Sequence, residues 1–354
     1  MIAGPAIAYD FPLGDDAASG AVEQAMEGTA MVSRRMVLGL GAAAGGLAVA
    51  GGGTAFAYSS AMASAHALVD PSLSTVIPSR FGDLEYAEAG AGMPFLMVHC
   101  TGGGFDQGLA FARPLVDLGY RVIAPSRFGY LRTAYPEEPS SENQADAFVD
   151  LLDHLGIDKV AIAGGSAGAL SAIAFAIRHP ERCAALFPIV PAAYAPNRTP
   201  ARPWGPVETT MAQTMLNSDF VFWLVLATMP DVVTETLLAT DAEVVKAASA
   251  EEQSRVREIA WSILPVSRRT QGLLNDGRLA GNPTPMPLEQ ITAPTLAISA
   301  EDDRYLTADA ASHIAATVTG AQLIMYPSGG HVWVGHNDEL YGSIDAFLKQ
   351  IGYA

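Results

Sequence analysis

Gly164-Gly165-Ser166-Ala167-Gly168 lies between an apolar run, Val160-Ala161-Ile162-Ala163, and a helix-forming run from Ala167 to Arg178. A G-x-S-x-G match between a strand and a helix reads as a nucleophile elbow. So tight a turn holds the serine in a strained backbone conformation. Small residues at 164, 165, 167 and 168 let strand and helix approach each other. The serine hydroxyl is then presented at the top of a sheet, beside the positive end of a helix. Gly, Ala and Ser are abundant in this chain, so the five letters alone also fit a plain glycine-rich turn. The flanking strand and helix are what point to catalysis.

Outward from the elbow, the periodicity alternates strand and helix. Residues 80–90 read as a hairpin turning at Gly82-Asp83. Strands are predicted over 93–99, 120–124, 159–163 and 184–190, with helices over 110–118, 141–155 and 167–178. This βαβ alternation predicts a parallel, doubly wound sheet. It breaks at Pro191. Residues 192–290 hold no clear strand, only helical stretches at 220–229, 232–238 and 250–264. Pro196, Pro200, Pro203 and Pro206 open this segment, and Pro283, Pro285 and Pro287 close it. The alternation resumes with a strand at 294–299, a helix at 307–317, a strand at 321–326 and a helix at 337–351. An all-helical insertion of this kind is expected to cap the strand C-terminal ends, where ligands bind. The expected division is therefore 58–191 and 291–354 as core, with 192–290 as cap.

The 354 residues are half hydrophobic, enough for one large α/β domain with an insertion. A net charge of −17 argues against nucleic acid and anionic membrane surfaces as partners. The two cysteines, Cys100 and Cys183, read as small buried apolar residues rather than a disulfide. No Cys/His/Asp cluster has metal spacing, so no metal and no organic cofactor is implied. The sequence sets no oligomeric state.

The N-terminus reads as a targeting segment. Ser33-Arg34-Arg35-Met36-Val37-Leu38 resembles the twin-arginine export motif, with Val37 and Gly39 departing from the usual Phe and Lys. Residues 36–57 carry no charge and are rich in Gly and Ala. Ala55-Phe56-Ala57 offers a cleavage site that would leave Tyr58 first, and Ala61-Met62-Ala63 offers a second. The expectation is export through this signal, with an uncleaved membrane anchor as the alternative. Residues 1–30 hold five acids and no Lys or Arg, which suits Met31 as the natural start. Without residues 1–57 the chain loses five acids and two arginines and stays acidic, at −14.

A serine hydroxyl becomes a competent nucleophile when a base takes its proton, usually a histidine oriented by a buried carboxylate. His331, in the loop Pro327-Ser328-Gly329-Gly330-His331 after the last strand, is favoured over His336 at the start of the terminal helix. The acid follows the strand at 294–299, among Glu301, Asp302 and Asp303. Asp303 is preferred because it lies far enough beyond the strand to turn inward. Oxyanion donors are expected from the backbone of Ala167 and of the loop His99-Cys100-Thr101-Gly102-Gly103-Gly104, at Thr101 or its neighbour Cys100. Gly102 and Gly103 would let that backbone approach a substrate. No Gly-Lys-Ser/Thr follows, which disfavours a phosphate loop. His99 reads as a loop organiser.

The pieces His99 to Gly104, Ser126-Arg127-Phe128-Gly129-Tyr130, Gly164 to Gly168, Ala300 to Asp303 and Gly329-Gly330-His331 occur in one order. Together they resemble the α/β-hydrolase superfamily over residues 80–190 and 290–340. The resemblance implies an α/β-hydrolase fold with Ser166 as nucleophile, Asp303 as acid, His331 as base, and Thr101 and Ala167 in the oxyanion hole. Cys100 stands where the family usually has Gly, and Ser126 where an Asp often precedes the arginine. A serine nucleophile argues against the dehalogenase and epoxide-hydrolase branches, which use Asp. The implied activity is hydrolysis of small to medium carboxylic esters. A lactonase, a C–C hydrolase, a perhydrolase or a non-catalytic binding protein are the alternatives. Trp204, Phe220, Phe222, Trp223 and Met229 are candidates for an apolar pocket, with the cap's own core as the alternative for most of them, and Trp333 is a candidate for the pocket wall. Arg268 and Arg269 read first as surface partners of acids in the cap; if they clamp a substrate carboxylate instead, a monoester of a dicarboxylic acid would suit them.

Overall fold

The computed structural model describes residues 51–198 and 213–353. After helix α1 (Gly51–Leu68) the chain builds β1 (Thr75–Ser79), β2 (Gly82–Ala89) and β3 (Pro94–Val98). The short helices α2 (Phe105–Phe111) and α3 (Arg113–Asp117) lead to β4 (Arg121–Pro125). Helix α4 (Ser141–Leu155), β5 (Val160–Gly165), α5 (Gly168–Arg178) and β6 (Cys183–Ile189) follow. An insertion carries α6 (Asp219–Thr228), α7 (Pro230–Thr236), α8 (Ala242–Ala247), α9 (Ala250–Trp261) and α10 (Thr270–Gly281). The chain then closes with β7 (Leu296–Ala300), α11 (Thr307–Thr317), β8 (Gln322–Tyr326) and α12 (Asn337–Gln350).

The strands form one sheet in the order β1-β2-β4-β3-β5-β6-β7-β8. β2 runs antiparallel to β1 and β4, and from β4 to β8 every pairing is parallel. Period-two alternation sends consecutive side chains to opposite faces. Phe95, Met97, Ala161 and Ala163 join the core that also holds α1, α12 and the insertion. Leu96, Val98 and Ile162 join the core under α4, α5 and α11. Both faces are covered, which is why the central strands are apolar throughout. Helix α4 shows how locally such elements are specified. The Ser140 side chain accepts from Asn143 N at 3.1 Å, and Gly156 at φ 65° ends the helix in the left-handed region.

Three sequence expectations need correction. The hairpin turns at Arg80-Phe81, not Gly82-Asp83, and its first arm is 75–79. That arm contains Pro78, which an edge strand tolerates because one side makes no ladder bonds. The helix expected over 110–118 is two short helices meeting at Ala112. Pro114 lies in the first turn of the second, where its missing N–H costs nothing. The insertion also carries helices over 242–247 and 270–281 that the periodicity did not reveal. The Ser33–Leu38 motif lies outside the described residues. Among the described residues no helix is long and apolar enough to cross a membrane.

Candidate active site

The elbow joins β5 to α5, and its glycines are steric necessities. A Cβ at Gly164 would strike Gly168 O and Ala169 Cα, and one at Gly168 would strike His99 O and Val98 O. Ser166 sits at φ 52°, a strained value for a residue with a Cβ. Backbone bonds from Ser166 N to Ile189 O (2.9 Å) and from Ala169 N and Ala192 N to Ser166 O (both 3.1 Å) hold it there. Strain sustained by surrounding structure is a mark of functional positions.

Ser166 Oγ lies 2.8 Å from His331 Nε2, and His331 Nδ1 lies 2.7 Å from Asp303 Oδ2. A carboxylate only accepts, so Nδ1 carries the proton and Nε2 is left to accept from the serine. Asp303 is buried, and its oxygens also accept from Tyr305 N at 2.8 Å and from Thr307 Oγ1. Asp302 accepts instead from Gly330 N (2.8 Å) and Gly329 N (3.2 Å) and so shapes the histidine loop. Glu301 is exposed. His336 is turned away, stacked on Tyr326 at 4.0 Å and bonded to Glu339.

The loop at 99–104 is fastened from every side. His99 Nε2 accepts from Arg127 N at 2.9 Å, so its Nδ1–H donates to Cys100 O at 2.6 Å. Burial and the nearby Arg127 charge push this imidazole well below its usual range, so it stays neutral and organises the loop. Cys100 N donates to Gln107 Oε1 (2.9 Å), and Gly102 N to Tyr130 OH (3.2 Å). Thr101 N and Ala167 N have no acceptor among the described residues. Both N–H groups are therefore free to donate, Ala167 as the residue after Ser166 and Thr101 from the wall of the cavity that Ser166 also lines. Ser126 Oγ links Glu85 and Phe105 N, a structural role.

Two ion pairs that the sequence did not suggest tie the insertion to this loop. Arg127 grips Asp276 through both oxygens, at 2.5 and 2.6 Å, and Tyr130 OH donates to the same carboxylate at 2.6 Å. Arg269, fully buried, pairs with Asp106 at 2.8 Å and donates to Gly103 O. Thr240 accepts from His331 N at 3.0 Å, and Ala239 O accepts from Arg304 N at 3.1 Å. The insertion therefore braces the acid and histidine loops as well.

A cavity of about 1000 Å³, including its mouth, opens over Ser166 and His331. Thr101 and Trp333 line it, with Phe111, Leu237, Leu238, Ile259, Ile263 and Leu273 as apolar wall. Phe220, Phe222, Trp223 and Met229 do not line it. Trp223 packs against Tyr58 and Phe220, Phe222 is core, and Trp204 lies outside the described residues. Arg268 is exposed, while Arg269 is spent on Asp106. Gly102 and Gly103 make room for Ile263 and Gln107 rather than for a ligand. Cys100 is half-buried and lines the cavity, unlike the buried Cys183; both are free. Burial pushes the Cys100 thiol up to about 12, which removes it as a nucleophile at neutral pH. The one charged cavity side chain outside the Ser166–His331–Asp303 chain is Arg198, among the described residues. Its loop position in a proline-rich stretch offers no periodic signal. No group of His, Cys, Asp or Glu among the described residues is placed to hold a metal.

A family model described as the alpha/beta hydrolase fold matches residues 93–334. The chain belongs to the α/β-hydrolase family. An alpha/beta hydrolase fold protein from Nakamurella multipartita is 26% identical, with a TM-score of 0.62 over 79% of this chain and 99% of that one. A thermophilic esterase from Thermogutta terrifontis is 22% identical, with a TM-score of 0.56 over 78% and 98%. An enol-lactonase from Burkholderia xenovorans is 18% identical, with a TM-score of 0.56 over 78% and 100%. No curated protein matches the chain.

Proposed function

We propose that this α/β-hydrolase cleaves carboxylic esters of small to medium size through an acyl-enzyme. The observation that carries the reading is the continuous chain from Ser166 Oγ through His331 to Asp303, at 2.8 and 2.7 Å, beside two uncommitted backbone donors. Ser166 Oγ attacks the ester carbonyl carbon while His331 Nε2 takes its proton. The carbonyl oxygen, now negative, accepts from Thr101 N and Ala167 N. Asp303 stabilises the imidazolium so formed. His331 returns the proton to the departing alkoxide, which leaves as alcohol. Water then attacks the acyl-serine by the same route, releasing the carboxylic acid and restoring Ser166. Carbon-rich walls suit an apolar acyl or alcohol group.

The test is hydrolysis of p-nitrophenyl acetate, butyrate and octanoate by a chain starting at Tyr58, beside Ser166→Ala. Turnover that falls by about three orders of magnitude or more in the variant is expected. Equal rates in both forms would sink the reading. A lactonase would share the same groups, and preference for a γ-lactone over every acyclic ester would favour it instead.

We further propose that residues 1–57 direct export by the twin-arginine route and are removed after Ala57. The support is the Ser33–Leu38 motif and the Ala55-Phe56-Ala57 site. An exported protein whose N-terminal residue is Tyr58 is expected. Retention of the full chain inside the cell would speak against it.

A further inference from the structure

Three arginines surround the cavity and its loop, and only two of them have a carboxylate. Arg127 has Asp276 and Arg269 has Asp106. Arg198 lines the same cavity as Ser166 and His331, yet among the described residues its side chain donates only to two backbone carbonyls. Nη1 donates to Ala193 O at 2.9 Å and Nη2 to Ala280 O at 3.1 Å. No carboxylate pairs with it among the described residues. A guanidinium offers five N–H donors and keeps its charge, so three donors remain uncommitted. Arg127 and Arg269 each bury an Nε–H without an acceptor, whereas no atom of Arg198 is such a buried orphan among the described residues. The two carbonyls hold the fork through its two terminal nitrogens, one from the segment after β6 and one from the end of α10. Such a clamp pre-orients a planar donor set.

A cation drawn partly out of water without a counter-ion is unfavourable unless something compensates it. Burial works against its charge, and the more distant Asp303 only partly offsets this. Among the described residues the rest of the cavity lining holds no other Lys, Arg, Asp or Glu, and a ligand carboxylate supplies both the charge and the acceptors that the guanidinium lacks. We propose that Arg198 anchors a free carboxylate on the substrate, so that the preferred esters are monoesters of short dicarboxylic acids. The inference rests on the ester-hydrolase reading and narrows its substrate class. It also moves the carboxylate clamp from Arg268 and Arg269, which do not face the cavity, to a residue that does.

The experiment compares monomethyl with dimethyl esters of succinic, glutaric and adipic acids. Each pair differs by one charge at nearly constant size, and the series varies the reach from ester to carboxylate. In the parent, the best monoester is expected to exceed its dimethyl partner about tenfold in kcat/KM. Arg198→Gln should lower that ratio about tenfold, chiefly through KM, and Arg198→Lys should restore part of it. A charge that merely balances Asp303, or a strut between two carbonyls, would depress both esters equally, and that result overturns the proposal. In parallel, calorimetry measures binding of the three monomethyl esters to Ser166→Ala, with and without Arg198→Gln. Binding that weakens about tenfold with Arg198→Gln supports the anchor whatever the chemistry. Turnover of dimethyl esters without monoester preference or binding overturns the anchor and keeps the esterase. Monoester binding with no turnover of any ester in the parent does the reverse. Neither binding nor turnover overturns both.

Discussion

Asp302 and Asp303 are neighbours with identical side chains and separate work. One peptide bond turns Asp303 inward to His331 Nδ1 and leaves Asp302 to receive the amides of Gly329 and Gly330. Asp303→Asn leaves the shape of the site but presents the wrong group to the imidazole. Its kcat for an ester substrate is expected to drop by roughly 10³–10⁴. Asp302→Asn keeps the Asp303–His331 bond and loses part of the loop's support, so a loss of about tenfold or less is expected, together with a lower Tm. Steady-state kinetics on both variants decides the matter. A larger loss in Asp302→Asn would exchange the two roles. Sequence order narrowed the acid to three residues, because strand ends deliver side chains to the sheet top. Which of them turns inward depends on the chain path after Ala300, and no composition or periodicity records that path. Thr240 was invisible for the same reason: only the folded insertion brings its hydroxyl to His331 N.

At the scale of elements, legibility followed locality. Helix α4 occupies the residues its cap and periodicity predict, 141–155, because Ser140 and Gly156 act within one turn of its ends. The elbow was equally readable, since its strand, turn and helix are contiguous. Elements set by distant packing were not: β1 is a five-residue edge strand containing a proline, and α10 carries Gly272 and Gly277. Helix α1 adds weight to one of the two proposed cleavage sites. It begins at Gly51 and runs through both of them. Tyr58 packs edge-on against Phe220 and Trp223 at 5.2 and 5.5 Å, and Ala61, Met62 and Ala65 are buried in the core. Cleavage after Ala57 keeps all of these contacts, whereas cleavage after Ala63 discards Tyr58, Ala61 and Met62. Burial of Met62 alone is worth about 1.5–3 kcal/mol. A chain starting at Ser64 should therefore melt several degrees below one starting at Tyr58. Equal melting temperatures would remove this preference for the first site.

For the whole molecule, the question is whether the insertion is a lid on a finished core or part of the core itself. Arg127 and Asp276 are 149 residues apart, and Arg269 and Asp106 are 163 apart, so no local pattern announces either pair. Both are buried, one joining the insertion to the segment after β4 and the other to the first turn of α2, and each arginine also donates to a carbonyl of the loop that carries Thr101. Apolar packing repeats the message: Phe222, Trp223, Val225, Ile259 and Leu273 belong to the same cluster as Phe95, Phe187 and Ile298 of the sheet. An insertion that peeled away would expose that cluster and leave two arginines and two carboxylates unpaired, each pair uncompensated in a dry environment. The insertion and the sheet should accordingly unfold together. Calorimetry of the chain from Tyr58 should give one transition with equal calorimetric and van't Hoff enthalpies. Asp276→Ala strands the Arg127 charge and frees Tyr130, which should cost roughly 3–5 kcal/mol. That loss should move the whole transition down instead of splitting off an early one. A separate low-temperature transition, with the Ser166–His331 core still folded, would show that the insertion is an independent lid. In a single unit the backbone donors proposed for the oxyanion are held by the same contacts that hold the fold. Loss of the proposed ester hydrolysis on heating should then track the calorimetric transition rather than precede it.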